Sequence, residues 1–194
     1  DRVPSSLLHL LDYCAARKCL SSAKLGDVLG FLTASEECAH VPIPEFFFSV
    51  IEHVSGAVSR ANMPKLIRTL RLLASSKVHP GHALLTDISN LATDMTVKSE
   101  LTFRQLSALF FSLAYLDYYP DPSYFRAFLA KISADKVNSF NKRDISRVLW
   151  GLARYNLTHL FIFKPLWIRA TSNMTTPPWL DTPPHTPTTL SPSN

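Results

Sequence analysis

The sequence has little glycine, little cysteine and no apolar run of membrane-spanning length. Its 194 residues include five glycines, and with 46% hydrophobic and 18% charged residues the chain as a whole is not of the disordered type. Its three cysteines, Cys14, Cys19 and Cys38, form no CxxC pair and cannot all be bridged, which excludes a disulfide scaffold and a cysteine-rich zinc site. No apolar run approaches the roughly 20 residues of a transmembrane helix, which argues against an integral membrane protein. A leucine-rich chain with so little glycine favours helices over strands.

The sequence also lacks the motifs of the common enzyme classes. No P-loop, GxGxxG, HExxH, GxSxG or EF-hand pattern occurs. His79 and His82 have an HxxH spacing, but they span a predicted loop and lack a second pair of ligands. Cys38 lies near His40 without a third group that would fix a catalytic base. We therefore expect no enzymatic activity, no cofactor, no metal ion and no small-molecule substrate.

Apolar residues recur with a helical period along most of the chain, and no segment shows strand alternation. Prolines and polar clusters divide this pattern into segments of helical length. The spacing predicts helices near 5–19, 22–34, 44–60, 63–76, 82–95, 102–117, 121–133, 141–155 and 159–171.

These segments repeat along the chain with a regular spacing. The sequence RQLSALFFSLAYL at 104–116 matches RDISRVLWGLARY at 143–155 at an offset of 39, and Pro80 falls on Pro120 at an offset of 40. Helix pairs with a period of about 40 residues are typical of an α-solenoid, in which neighbouring units cover each other's apolar faces. The sequence thus predicts an all-α fold, an α-solenoid of about four helix pairs over residues 1–170.

Two groups of side chains are expected to join these units. Small residues allow helices to approach closely where they cross, and apolar residues of the second helices fill the grooves between units. The first group is Ala114, Gly151 and Ala153; the second is Phe128, Leu129, Trp167 and Ile168.

The C-terminal segment, 171–194, has a composition of its own. It holds six of the fourteen prolines and seven threonines. Such a low-complexity segment does not bury a core of its own. We therefore predict an extended tail that lies on a partner protein, with Trp179, Leu180 and Leu190 as anchors.

Positive charge is concentrated in the second half of the chain. Residues 1–100 carry ten basic and ten acidic residues, whereas residues 101–194 carry ten and five, which supplies the whole net charge of +5. A basic segment beside a neutral one indicates contact with a polyanion, and a solvated surface is the alternative.

One predicted helix face collects arginines beside aromatic rings. On a helical wheel of 141–155, a narrow stripe beside Trp150 is formed by Arg143, Arg147 and Arg154. If the units stack, the first helices of the preceding units would continue this stripe. Guanidinium groups pair with phosphate, and aromatic rings stack on unpaired bases. The alternatives are a solvated arginine face and core positions for Trp150 and Phe111. The predicted RNA-binding residues are Arg68, Arg71, Arg104, Lys142, Arg143, Arg147, Arg154, Trp150 and Tyr115, with Phe111 beside them.

The two matching segments resemble a known class of repeat. FRQLSALFFSLAYLDY (103–118) and KRDISRVLWGLARYNL (142–157) are similar to the first helix of organellar helical-repeat RNA-binding families, the octotricopeptide and heptatricopeptide repeats. These repeats are often associated with RAP or FAST-kinase-like regions, and their units have a length similar to the period seen here. The resemblance extends over 102–170 and, with fewer matches, over 62–100.

The resemblance implies a function in RNA binding. No RAP-type pattern follows residue 170, which favours binding over cleavage. Members of these families act on organellar RNA, and divergent mitochondrial ribosomes have recruited some as structural subunits. The resemblance therefore implies that this chain is an rRNA-binding component of a mitochondrial ribosome in the matrix. Neighbouring ribosomal proteins would be its further partners. The alternatives are a free organellar factor for RNA stability or processing and, from another class, a protein–protein scaffold that contacts no RNA.

Overall fold

The computed structural model describes residues 24–37, 42, 44–132 and 140–171, and these residues form eight α-helices and no strand. The predicted all-α class is therefore confirmed for this part of the chain. The predicted helix at 5–19 and the tail anchors Trp179, Leu180 and Leu190 lie outside the described residues. The helices are α1 (Leu25–Glu37), α2 (Pro44–Gly56), α3 (Met63–Ser75), α4 (His82–Val97), α5 (Phe103–Tyr115), α6 (Pro122–Lys131), α7 (Lys142–Arg154) and α8 (Phe163–Thr171).

Three helices begin at equivalent points of the sequence pattern. α3 begins at Met63, α5 at Phe103 and α7 at Lys142, and each is 13 residues long. Side-chain caps fix two of these starts, because Thr102 forms a capping box at α5 and Asn141 accepts a backbone N–H at α7. The local structure thus recurs with the spacing of the sequence matches.

The same three helices also end alike. Just beyond each helix one residue adopts a left-handed backbone, with φ between 54° and 57°, and the next N–H bonds back across the last turn. At α5, for example, the N–H of Tyr118 donates to the carbonyl of Leu113 over 3.1 Å. This closure satisfies helix-end carbonyls that would otherwise lack a partner. The left-handed residues are Lys77, Asp117 and Asn156.

The first helix of each pair packs on the first helix of the next pair. α1 contacts α3, α3 contacts α5 and α5 contacts α7, while α4 contacts α6 and α8 contacts α7. Each of the helices α1, α3, α5 and α7 buries an apolar stripe, because side chains three and four positions apart share one face. The stripe of α5 is Leu106, Leu109, Phe110 and Leu113, and the stripe of α7 is Ile145, Val148, Leu149 and Leu152.

The contact between α5 and α7 depends on a glycine. A Cβ atom on Gly151 would lie 2.5 Å from Cε1 of Phe110, far inside van der Waals contact. The Phe110 ring is itself fully buried and stacks on Phe128 with 4.2 Å between ring centroids. Gly151 therefore has the predicted role at a helix crossing, and Ala114, for which the same role was predicted, is buried. The prediction is wrong for Ala153, which is exposed because it lies on the outer side of α7.

The second helices fill grooves less regularly than expected. Phe128 is buried and Leu129 packs against the core, as predicted. Trp167 and Ile168 of α8 are instead 55% and 56% exposed, so the same prediction is wrong there. The physical reason is that, among the described helices, only α7 packs closely against α8, which leaves the other faces of α8 uncovered by them. None of the described helices is both long and apolar enough to cross a lipid bilayer.

Candidate functional site

A groove runs along the face that α3, α5 and α7 share. It consists of two adjoining depressions, which we call the arginine depression and the aromatic depression, of about 370 and 570 Å³. The N-terminal halves of the three helices line the arginine depression, and on each helix the lining of the aromatic depression extends further toward the C-terminus, to Ser75, Tyr115 and Trp150. The three helices therefore run in the same direction, and equivalent positions of successive units come to lie side by side.

The two depressions form one continuous surface. Arg71, Ala108, Arg143 and Arg147 line both of them, one from α3, one from α5 and two from α7. Ala108 occupies the position in α5 that corresponds to Arg147 in α7. Because its side chain is a single methyl group, it leaves room at the centre of the groove.

The arginine depression gathers basic side chains from three units. Its lining includes five arginines and, among the residues that the structure describes, no carboxylate; the arginines are Arg68, Arg71, Arg104, Arg143 and Arg147. Nη2 of Arg68 donates a hydrogen bond to Oγ1 of Thr33 over 3.1 Å, which holds this guanidinium against α1. Arg104 and Arg143 form no ion pair with any carboxylate of the described residues. The groove thus presents guanidinium groups that a polyanion could reach.

Arg147 is held in place by a buried acid. Its Nη1 lies 3.0 Å from Oδ1 of Asp144, and the side chains of the two residues are only 15% and 4% exposed. Nδ2 of Asn141 also donates to Asp144, over 2.6 Å, so that the carboxylate has two partners. Burial lowers the pKa of Arg147, and the nearby positive charges of Arg143 and Arg71 lower it further. All three guanidinium groups line both depressions, so that their positive charges lie along one surface.

The aromatic depression contains three rings in mutual contact. Trp150 lies 4.8 Å from Phe111 and 5.8 Å from Tyr115, measured between ring centroids, and Phe111 lies 5.9 Å from Tyr115. Trp150 and Tyr115 are 40% and 41% exposed, whereas Phe111 is half-buried beneath them. The alternative of a core position is therefore wrong for Trp150, whose ring stays 40% exposed at the surface of the groove.

Two of the predicted residues lie away from the groove. Arg154 pairs with Asp117 at the C-terminal ends of α7 and α5, where both side chains are at least half exposed. Surface pairs of this kind contribute little to stability, and this one turns the guanidinium toward a carboxylate. Lys142 is exposed at the first position of α7 and lines neither depression. The other seven predicted residues lie along the groove.

Sequence reasoning missed several residues that shape the groove, and two of them show why. Asp144 positions Arg147, and Ser146 lines the aromatic depression beside Trp150. The signal for Asp144 was its place three residues before Arg147, a spacing at which helical side chains meet. Nothing in the sequence pattern distinguishes Ser146 from an ordinary exposed serine.

The pair of histidines noted in the sequence forms no metal site in the described residues. The rings of His79 and His82 lie 5.4 Å apart between centroids, and Nδ1 of His79 accepts the N–H of Gly81 over 3.0 Å. No group of three or more histidine, cysteine or acidic side chains in the described ranges is arranged to hold a metal ion.

Comparison of the chain with protein-family models, with curated proteins and with solved structures finds no match.

Proposed function

We propose that this protein is a non-catalytic RNA-binding component of a mitochondrial ribosome and that rRNA lies along the groove of α3, α5 and α7. One observation carries the binding part of this proposal. Five arginines from three helices line one continuous groove, and no carboxylate of the described residues lines it, although Arg147 pairs with the buried Asp144 behind it; aromatic rings occupy one end of the groove. Phosphate contacts supply most of the affinity of RNA-binding proteins, and arginine is well suited to them. The ribosome and the mitochondrial matrix rest on the family resemblance of the repeats.

We further propose that the helix pairs form an α-solenoid. The packing of α1, α3, α5 and α7 in series supports this arrangement, as do helix starts and ends that recur with the spacing of the sequence matches. In such a stack each unit contacts only its neighbours, and equivalent side chains line a common surface. That geometry explains why arginines from separate units of the sequence meet in one groove.

Two alternatives remain distinct from this proposal. A free organellar RNA factor would use the same groove, whereas a protein–protein scaffold would use other surfaces. The exposed apolar side chains in and just before α8, Phe161, Trp167 and Ile168, favour a protein neighbour in addition to RNA. We propose that neighbouring ribosomal proteins cover this face and that the tail at 171–194 adds further contacts.

A salt titration tests the groove. We expect the double variant Arg104→Gln/Arg143→Gln to bind unstructured RNA more weakly and to flatten the dependence of log K on log salt by about 0.7 per lost phosphate contact. Neither arginine forms an ion pair in the described chain, so that their removal leaves no carboxylate unpaired. The control, Arg126→Gln/Lys164→Gln, removes the same charge from exposed positions of α6 and α8. An equal loss of slope in both variants would contradict the groove and leave only a general charge effect.

Co-sedimentation separates the ribosomal proposal from its alternatives. A ribosomal component stays with the particle at high salt, because contacts to rRNA and to neighbouring proteins act together. A free RNA factor leaves the particle when salt weakens its phosphate contacts. A scaffold without RNA contact neither sediments with the particle nor binds RNA in the titration.

A further inference from the structure

The aromatic end of the groove is built differently from its arginine end. Trp150 and Tyr115 lie at only 29° to each other and are both about 40% exposed, and the half-buried Phe111 contacts both rings from beneath. Each of these two rings is therefore held by the other rings of the cluster and is still open to solvent over about 40% of its surface. Such a supported, open ring offers a flat apolar surface on which a planar group can stack.

The same depression also holds positive charge. Arg71, Arg143 and Arg147 line it together with the rings. Arg147 precedes Trp150 by three residues on α7, a separation of about 4.5 Å along the helix axis. A ligand that carries a planar group beside an anionic group could therefore contact both within one helical turn.

We propose that the aromatic depression takes an unpaired nucleobase stacked on Trp150 and Tyr115, while the adjoining phosphates lie on Arg143 and Arg147. The preferred ligand of the groove is then single-stranded RNA rather than a duplex. This inference rests on the proposed RNA-binding function and specifies the form of RNA that the site takes.

The chemistry of paired and unpaired RNA supports this choice. In an A-form duplex the bases stack on each other, so that their faces are hidden and only edges, sugars and phosphates are accessible. An unpaired base exposes its face and stacks on aromatic side chains with little regard to its identity. The volume of about 570 Å³ also lies in the range of sites that enclose a small planar ligand.

Substitutions of Trp150 separate stacking from packing. Trp150→Leu keeps a large apolar side chain but removes the flat face, whereas Trp150→Phe keeps a flat face. Trp167→Leu is the matched control, because Trp167 is another exposed tryptophan and lies on α8, outside the groove. Circular dichroism and thermal unfolding establish that all three variants are folded before binding is measured.

The binding assay uses three RNA probes. They are an unstructured oligoribonucleotide of about ten nucleotides, an abasic oligomer of the same length and a duplex of the same length. We expect the wild-type chain to bind the base-bearing strand about 5-fold or more tighter than the abasic strand. Trp150→Leu should lose this preference, Trp150→Phe should retain most of it and Trp167→Leu should leave it unchanged.

The outcomes distinguish this inference from the proposed function. Equal affinity for the base-bearing and abasic strands, with the salt dependence of Arg104→Gln/Arg143→Gln still reduced, would overturn the stacking site while the RNA-binding groove stands. Tighter binding of the duplex would overturn it as well. If the wild-type chain binds none of the three probes, both proposals fail.

Discussion

Replacing Gly151 with alanine tests how closely α5 and α7 must pack. The new Cβ would lie 2.5 Å from Cε1 and 2.6 Å from Cδ1 of Phe110, where carbon atoms normally stay more than 3.4 Å apart. The ring has little freedom to move aside, because it is fully buried, stacks on Phe128 and contacts the ring of Tyr155 edge-on. The helices must therefore separate or the Phe110 ring must leave its stacked position.

The expected loss of stability is the difference between two opposing effects. Alanine favours a helix over glycine by about 1 kcal/mol. Overpacking of a well-packed core costs about 1–3 kcal/mol, and the immobile ring places this site in the upper part of that range. We therefore expect Gly151→Ala to lower the free energy of unfolding by about 1–2 kcal/mol, which corresponds to a decrease in Tm of about 2–8 °C.

Gly30 provides the matched control. It lies in the interior of α1, and a Cβ atom there would meet nothing within 4 Å. Gly30→Ala should therefore show only the gain in helix propensity of alanine over glycine, which raises the free energy of unfolding by up to about 1 kcal/mol. Urea unfolding followed by circular dichroism measures both variants. The reasoning fails if Gly151→Ala is as stable as Gly30→Ala.

The remaining predictions concern hydrogen bonds. Tyr155→Phe should lower the free energy of unfolding by about 1 kcal/mol, because the Oη of Tyr155 donates a hydrogen bond to the carbonyl of Tyr118 over 2.8 Å. Tyr124→Phe should be neutral or stabilising, because the buried hydroxyl of Tyr124 has no partner among the described residues. Burial raises the pKa of both tyrosines in the folded state. Their contribution to the free energy of unfolding is therefore complete below the unfolded pKa of about 10 and is lost as pH rises above that value. In Tyr155→Phe the free energy of unfolding should therefore fall less steeply with rising pH than in the wild type. Urea unfolding at several pH values between about 9 and 11 measures this difference. Thr102→Ala should lower the free energy of unfolding by about 1 kcal/mol, because it removes the N-terminal cap of α5. Thermal unfolding measures this loss, and an unchanged Tm would contradict it.

The sequence was informative wherever structure depends on neighbours along one helix. The predicted starts of α3 at 63 and α4 at 82 agree with the structure, because apolar spacing and prolines define them locally. The stripe of Arg143 and Arg147 beside Trp150 also follows from the geometry of one helix, since residues three and four apart share a face. The alignment of equivalent positions in successive units then predicted most of the groove.

The features that the sequence did not predict depend on residues far apart in the chain. Arg154 lies within the wheel's arginine stripe, yet Asp117, from the preceding unit, holds it away from the groove. That carboxylate belongs to the left-handed residue just beyond the end of α5, far from Arg154 in the sequence. Likewise, Trp167 corresponds to the buried Phe128 in the repeat pattern, but burial requires a following element that the described chain does not place there.

The close packing of α5 and α7 also bears on the proposed base-stacking site. Gly151 contacts Phe110, and the adjacent residues in the two helices, Trp150 and Phe111, form the centre of the aromatic depression. An increase in the separation of the helices should therefore widen the 4.8 Å spacing of these two rings. We expect Gly151→Ala to reduce the preference for base-bearing over abasic RNA, while the salt dependence, which the arginines of the groove determine, changes little. A destabilised variant that retains the full preference would show that the separation of the helices does not control the stacking site.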